Sequence, residues 1–266
     1  MSRIILFGLL ALTFVFLLAP IVVVVVSSFN AVGVFSFPPK AFTTRWYQQI
    51  DTSFYHAVYV SLIVGSITSV LAVLVGLPGA LALVRGRFPG RDLLNAVALS
   101  PLMVPALVTG VALFQFSLVF WDVFGVGLGG TIPGLVIGHL TFAVPFVVRA
   151  VLASHTRFDL SLEEAAQNLG ATPFQTFFHV TLPILKPGVT SGTIFAFLMS
   201  LDEVPISLFM GGGDATTLPV KIFTAIEIAF GGDILAVASL IVLASVVLMI
   251  VLDRLVGIEQ LFVTKQ

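Results

Sequence analysis

The stretch IILFGLLALTFVFLLAPIVVVVV, residues 4–26, decides the fold class because it carries no charge and is long enough to cross a bilayer. At about 1.5 Å per residue, a helix over this stretch is about 35 Å long, and the hydrocarbon core of a bilayer is about 30 Å thick. Arg3 before an apolar run is also typical of a secretory signal peptide. The run is longer than the apolar part of such a peptide, and no small-x-small cleavage site follows it. We therefore expect a retained first transmembrane helix.

Further segments along the chain have the same apolar character. The composition agrees, since 58% of residues are hydrophobic and 9% are charged, whereas a soluble domain carries about 25% charged residues. The sequence predicts an all-α polytopic membrane protein, one domain over residues 1–266, with six transmembrane helices near residues 4–28, 57–84, 93–120, 131–153, 187–210 and 234–252. The absence of cysteine excludes disulfides and Cys-ligated metals. A net charge of −1 provides no basic surface for nucleic acid.

The distribution of Lys and Arg predicts the orientation, because these residues are enriched in cytoplasmic loops. With the N-terminus inside, nine of the 12 fall on the cytoplasmic side: Arg3, Arg85, Arg87, Arg91, Arg149, Arg157, Lys186, Arg254 and Lys265. The outer segments hold Lys40, Arg45 and Lys221. We therefore expect both termini in the cytoplasm and the longest cytoplasmic loop at residues 154–186.

That loop contains the signals of two short helices. Ser161 and Glu164 have the spacing of a capping box at a helix start, and Gly170 is placed to end the helix in a left-handed cap. Thr172 and Gln175 form a second capping box, and a turn at residues 182–183 is expected to lead into the fifth membrane helix. From the residues alone, an ordinary amphipathic loop at the membrane surface is an equally good interpretation.

Residues 164–183 also contain Glu-Ala-Ala, a glycine and Val-x-Leu-Pro at fixed spacing: Glu164, Ala165, Ala166, Gly170, Val180, Leu182 and Pro183. This pattern resembles the EAA motif of binding-protein-dependent ABC importer permeases, with valine in place of the usual isoleucine. The resemblance implies the type I ABC importer permease fold and a coupling helix that lies in a groove of an ATP-binding subunit. By position, the residues implied to couple to that subunit are Glu163, Glu164, Ala165, Ala166, Gly170, Leu182 and Pro183.

Looser matches at residues 27–30, 42–47, 201–204 and 217–219 look like the spermidine/putrescine permease branch. The resemblance implies import of a polyamine across the bacterial inner (plasma) membrane, in contact with membrane lipid. It also implies a second homologous permease subunit, two ATP-binding subunits and a periplasmic or lipid-anchored substrate-binding protein. The chain lacks the pattern G-x-x-x-x-G-K-[ST], so we expect ATP and Mg on the partner ATPase subunits. For this chain itself we expect no cofactor, no metal site and no catalytic residue.

Two adjacent acids, Asp202 and Glu203, lie near the end of the fifth apolar segment. They follow Lys186 by about 24 Å of helix, which places them toward the outer half of the membrane. A carboxylate at bilayer depth costs about 2.5–3.5 kcal/mol, so such a residue is a functional candidate. We expect one or both to line the path of a cationic substrate. An equally good interpretation is that they bond a neighbouring helix or face outer water.

Other functions remain open at this stage. A permease of an importer for another small organic solute or for ferric iron is the first alternative. A stand-alone secondary transporter or channel is the second, although such a protein has no reason to carry an EAA loop. A membrane enzyme is disfavoured because no nucleophile or acid–base cluster stands out.

Overall fold

The computed structural model describes residues 3–33, 35–86, 88–156, 158–228 and 231–256. The described helices, in chain order, are α1 (Arg3–Ser27), α2 (Arg45–Gln48), α3 (Thr52–Arg85), α4 (Arg91–Leu99), α5 (Ala106–Phe124), α6 (Ile132–His155), α7 (Ser161–Asn168), α8 (Pro173–Thr176), α9 (Leu182–Leu201), α10 (Pro205–Met210), α11 (Leu218–Ile228) and α12 (Gly232–Val256). A 3₁₀ turn covers Ser100–Leu102 and a π-helical turn covers Phe177–Thr181. No β-strand occurs among these residues, so the all-α prediction is confirmed.

Six of the helical stretches are long and apolar enough to cross a membrane. Five are formed by α1, α3, α5, α6 and α12, and the sixth is the continuous helix Pro173–Leu201. This number confirms the predicted six spans. The most apolar stretch of α1 is 0% buried within the chain, whereas those of α3 and α6 are each 50% buried. A helix with so much exposed apolar surface is stable in lipid or against another chain, not in water.

The third predicted span, residues 93–120, is wrong as a single helix. The chain forms α4, passes through the 3₁₀ turn, and begins α5 only after Pro105. Pro101 and Pro105 lack an N–H, and each disfavours helical geometry at the residue before it. The membrane helix therefore runs from Ala106 to Phe124.

The fifth predicted span, residues 187–210, is displaced. Its helix begins upstream at Pro173 and ends at Leu201, and residues 205–210 form the separate helix α10. The expected turn at Leu182 and Pro183 is absent, because the π-helical turn joins α8 directly to α9. In a regular α-helix the Pro183 ring would clash with the carbonyl four residues earlier, and a wider π turn relieves such crowding.

The chain forms two compact units, and the prediction of one domain over 1–266 stays a prediction. In the unit Ala57–Val220, the core lies between α6 and α9, where Val147, Val151 and Leu185 are fully buried. Gly188 permits the close approach of these two helices, since a Cβ there would lie 2.6 Å from the carbonyl oxygen of Ala150.

The other unit joins residues up to His56 with the stretch from Lys221 to the end of α12. The Tyr47 hydroxyl lies 2.6 Å from Ser28 Oγ, just after α1, and 2.8 Å from Ser239 Oγ in α12. The Trp46 indole N–H donates to the Asn30 carbonyl at 2.7 Å. These bonds connect α2 to the C-terminal end of α1 and to the N-terminal part of α12.

Candidate functional site

The predicted two-helix loop is present as α7 and α8, joined at Gly170. Gly170 has φ +93°, in the left-handed region, and its N–H donates to the Gln167 carbonyl at 2.9 Å. Left-handed geometry disfavours residues with a Cβ. The predicted left-handed cap at Gly170 is therefore confirmed.

The two predicted capping boxes had different outcomes. The Thr172–Gln175 box is formed, with the Gln175 N–H donating to Thr172 Oγ1 and the Thr172 N–H donating to Gln175 Oε1. The Ser161–Glu164 box is wrong, because Ser161 is itself the first helical residue. Asp159 instead satisfies a free N–H at the start of α7, since its Oδ1 accepts the Ser161 N–H at 2.9 Å. That bond keeps the pKa of Asp159 below its ordinary value.

The exposed surface of this helix pair is concave and is formed largely by small or apolar side chains. Glu164, Ala165 and Gly170 are exposed, and Ala166 is half-buried. A cavity of about 380 Å³ lies between the two helices, lined by Ala166, Leu169, Gly170, Ala171, Gln175, Thr176, His179 and Val180. Leu169 at its edge is 91% exposed. Such a surface can receive an apolar partner side chain, because small residues allow close backbone approach.

Glu163 has different surroundings from its neighbour Glu164. Its Oε1 accepts a hydrogen bond from Arg85 Nη2 at 2.5 Å, forming an ion pair, and another from Thr181 Oγ1. The Glu163 side chain is 13% exposed. The structure thus directs Glu163 toward its own chain and Glu164 toward solvent.

Leu182 and Pro183 lie at the start of α9, on the same continuous helix as α8. Leu182 is half-buried and Pro183 is exposed. Their motif positions therefore form part of a rigid connection from the loop into the membrane.

The acidic pair lies at a helix break. α9 ends at Leu201 and α10 begins at Pro205. Glu203 is half-buried, and its Oε1 accepts the Ile206 N–H at 2.7 Å, which caps α10. Asp202 is exposed and makes no side-chain hydrogen bond to another described residue. Pro205 lacks an N–H and stands at the start of α10, which accounts for the break, and the two acids have different local roles.

A buried histidine, His139, packs against this break; as a polar residue in an apolar segment it was a possible path residue, but its role in bridging two helices was not predicted. His139 of α6 is 0% exposed, with Nδ1 2.6 Å from Ser200 Oγ and Nε2 2.9 Å from Ser207 Oγ. The two serines flank Asp202 and Glu203 on α9 and α10. The available signal was a polar residue inside an apolar membrane segment, where such residues pair with neighbouring helices. No group of three or more His, Asp or Glu that could hold a metal occurs in the described ranges.

Comparison with known proteins places the chain among transporters. The family model of the binding-protein-dependent transport system inner membrane component matches residues 72–260. The putrescine transport system permease protein PotI of Escherichia coli (strain K12) is 34% identical over 238 residues, 87% of this chain and 83% of that protein. The spermidine/putrescine transport system permease protein PotC of the same strain is 31% identical over 245 residues, 91% of this chain and 90% of that protein.

The fold is also similar to a solved structure. A bacterial ABC transporter involved in the import of the acidic polysaccharide alginate matches with a TM-score of 0.68 and 18% identity, covering 99% of each chain. At that identity the match supports the fold and not the substrate.

Six membrane helices with a paired-helix loop form a fold that is similar to that of a bacterial ABC importer. The chain belongs to the family of binding-protein-dependent transport system inner membrane components. It is therefore a multi-pass permease of the bacterial inner membrane and a transport component, not an enzyme. Membership implies partnership with an ATPase and with a substrate-binding component.

Proposed function

We propose that this chain is one of two permease subunits of an ATP-driven importer that carries a small polyamine, such as putrescine or spermidine, into the cytoplasm. The observation that carries the proposal is the similarity to PotI and PotC, two polyamine permeases, over most of this chain.

The acidic helix break supports a cationic substrate. Polyamine amines are protonated at neutral pH, because alkyl amines have pKa values of about 10. Asp202 is exposed and Glu203 half-buried at the break. Two opposite unit charges about 4 Å apart attract by about 4 kcal/mol at an effective dielectric constant of 20. Such an attraction guides a cation through without trapping it.

The proposed machine contains further subunits. A second, homologous permease completes a heterodimer, and two ATP-binding subunits hold ATP and Mg, while this chain binds no cofactor. A periplasmic or lipid-anchored protein delivers the substrate. The ATPase subunit docks on the exposed Glu164, Ala165 and Gly170 and on the adjacent cavity.

Transport follows alternating access, with both termini in the cytoplasm. ATP binding closes the ATPase pair and displaces the α7–α8 helix pair. Because α8 continues through the π-helical turn into α9, that displacement reaches the membrane directly. The α9–α10 break at Asp202 then changes its exposure between the two sides.

The test is reconstitution of the complete transporter, with its own binding protein, in proteoliposomes. We expect ATP-dependent accumulation of labelled putrescine or spermidine, and none without the ATPase subunits. Uptake of ferric iron or a neutral organic solute in place of polyamines would overturn the proposed substrate. Uptake by this chain alone without ATP would instead indicate a secondary transporter.

A further inference from the structure

A cluster of three side chains joins α7 to two membrane helices. Arg85 is the last residue of α3, Glu163 lies in the first turn of α7, and Thr181 ends the π-helical turn before α9. Arg85 and Thr181 both donate to the same carboxylate oxygen of Glu163. One carboxylate therefore connects three elements.

The surroundings make this connection stronger than an ordinary surface ion pair. The Glu163 side chain is 13% exposed, so solvent screening of its carboxylate is reduced, whereas the Arg85 side chain is 34% exposed. The Arg85 guanidinium also lies 5.8 Å from the centre of the Phe158 ring, within reach of a cation–π attraction. Charge-assisted bonds of this kind are about twice as strong as neutral ones.

Geometry separates Glu163 from the residues expected to touch the ATPase. Adjacent helical residues point about 100° apart, so Glu164 lies on the exposed side of α7 while Glu163 faces α3 and α9. A partner that docks on the exposed side meets Glu164 and not the Glu163 carboxylate.

We propose that Glu163 is a positioning residue that fastens α7 to the ends of α3 and α9, so that a displacement of the α7–α8 pair moves both membrane helices together. This rests on the proposed function, because it assumes an ATPase that displaces the pair. It differs from the motif resemblance, which places Glu163 in the ATPase contact.

The experiment uses the complete transporter in proteoliposomes and a conformational readout that needs no transported substrate. The chain has no cysteine, so Asp202→Cys provides a single labelling site at the helix break. The rate of maleimide labelling at residue 202 is measured with and without ATP and vanadate. The isosteric Glu163→Gln keeps an oxygen for hydrogen bonding but removes the charge, and Glu164→Gln is the matched neighbour.

With Glu163 intact, we expect ATP to change the labelling rate. Glu163→Gln and Arg85→Gln should reduce the ATP-induced change by about tenfold, within the range of coupling between sites, while the ATPase still co-purifies. The charge-reversed pair Arg85→Glu with Glu163→Arg should restore a large part of the change. Glu164→Gln should instead lower the amount of ATPase that co-purifies.

Two contrary results are distinguishable. If ATP changes labelling equally with Glu163 and with Glu163→Gln, or if Glu163→Gln loses the ATPase as Glu164→Gln does, the positioning role is wrong. If ATP changes nothing even with Glu163 intact, the proposed ATP-driven function fails, and the positioning role fails with it.

Discussion

Asp202 and Glu203 are neighbours in sequence, yet their carboxylates have different surroundings at the helix break. Glu203 is half-buried and accepts the Ile206 N–H, so part of its charge is committed to the first turn of α10. Asp202 is exposed, and its oxygens remain available to a passing cation. Of the two predicted path residues, Asp202 is therefore the better candidate for direct contact with substrate.

We predict that Asp202→Asn raises the KM for putrescine uptake by about tenfold, because losing one partly desolvated charge contact costs about 1.4 kcal/mol. The measurement is ATP-dependent uptake in proteoliposomes over a range of substrate concentrations. Asp214→Asn is the matched control, since Asp214 is exposed in the predicted outer segment and carries the same charge. An unchanged KM for Asp202→Asn, or equal effects of both variants, would remove Asp202 from the path.

The hydrogen-bond partners of His139 could not be predicted from the sequence. Its bonds reach Ser200 and Ser207, 61 and 68 residues further along the chain. Nothing local to His139 indicates those partners. An unpaired buried polar group costs about 1–3 kcal/mol, so a polar residue in an apolar span implies a partner without naming it. Asp202 and Glu203 could be proposed as path residues from their charge. The hydrogen bonds of His139 that join the two helices around them could not be predicted from the sequence.

At the scale of elements, substitutions at Gly170, which joins α7 to α8, can distinguish backbone strain from contact with a partner subunit. A Cβ at Gly170 would meet no atom within 4 Å, so the chain itself offers no steric barrier to a side chain. The φ of +93° is the remaining internal constraint. Asn and Asp tolerate left-handed geometry better than other residues do, and they differ in charge at nearly the same size.

We therefore predict that Gly170→Asn keeps uptake within about twofold of the original, whereas Gly170→Asp lowers it by at least about tenfold, or about 1.4 kcal/mol. The added charge would be desolvated against the ATPase, and it would lie just after the C-terminal end of α7, where the helix dipole disfavours a negative charge. The measurements are ATP-driven uptake and the amount of ATPase that co-purifies with the membrane-inserted permease. Equal failure of both variants would indicate strain, and equal success would place Gly170 outside the contact.

The elements that sequence predicted well are those with local causes. The Gly170 cap and the Thr172–Gln175 box depend on residues within a few positions, and both are formed. Predicted helix bounds were wrong where the apolar pattern continues past a proline. The third span was predicted to begin at residue 93, but α5 begins only after Pro105. The π-helical turn before Pro183 was missed because a Leu-Pro pair ordinarily indicates the end of a helix and not its continuation.

For the whole molecule, hydropathy was sufficient to predict six spans, since a helix is the one way a single apolar segment satisfies its backbone in lipid. Tertiary connections were beyond that pattern. The Arg85–Glu163 ion pair joins residues 78 positions apart, and charge alone does not distinguish Glu163 from Glu164. The sequence therefore predicted where the loop lies, while its attachment to the membrane helices required the structure.

The orientation of the molecule in the membrane is predicted by the Lys and Arg count and is open to direct measurement. Three of the nine inside residues, Arg87, Arg157 and Lys265, lie outside the described residues, but the rule uses sequence position alone. Because the chain contains no cysteine, single cysteines report sidedness without background. Asp92, in the first turn of α4 on the predicted inner side, and Asp214, in the predicted outer segment, are both exposed, and replacing either leaves the Lys and Arg distribution unchanged.

We predict that a membrane-impermeant maleimide labels Asp214→Cys in intact spheroplasts and labels Asp92→Cys only after permeabilisation. The physical reason is that moving the nine inner cations across the membrane during insertion is more costly than moving the three outer ones. Labelling is read by a mass shift on the purified chain, and ATP-driven uptake by both variants verifies correct assembly. Labelling of Asp92→Cys in intact spheroplasts would invert the topology and place α7 and α8 on the side away from ATP, which would contradict the coupling role of that helix pair.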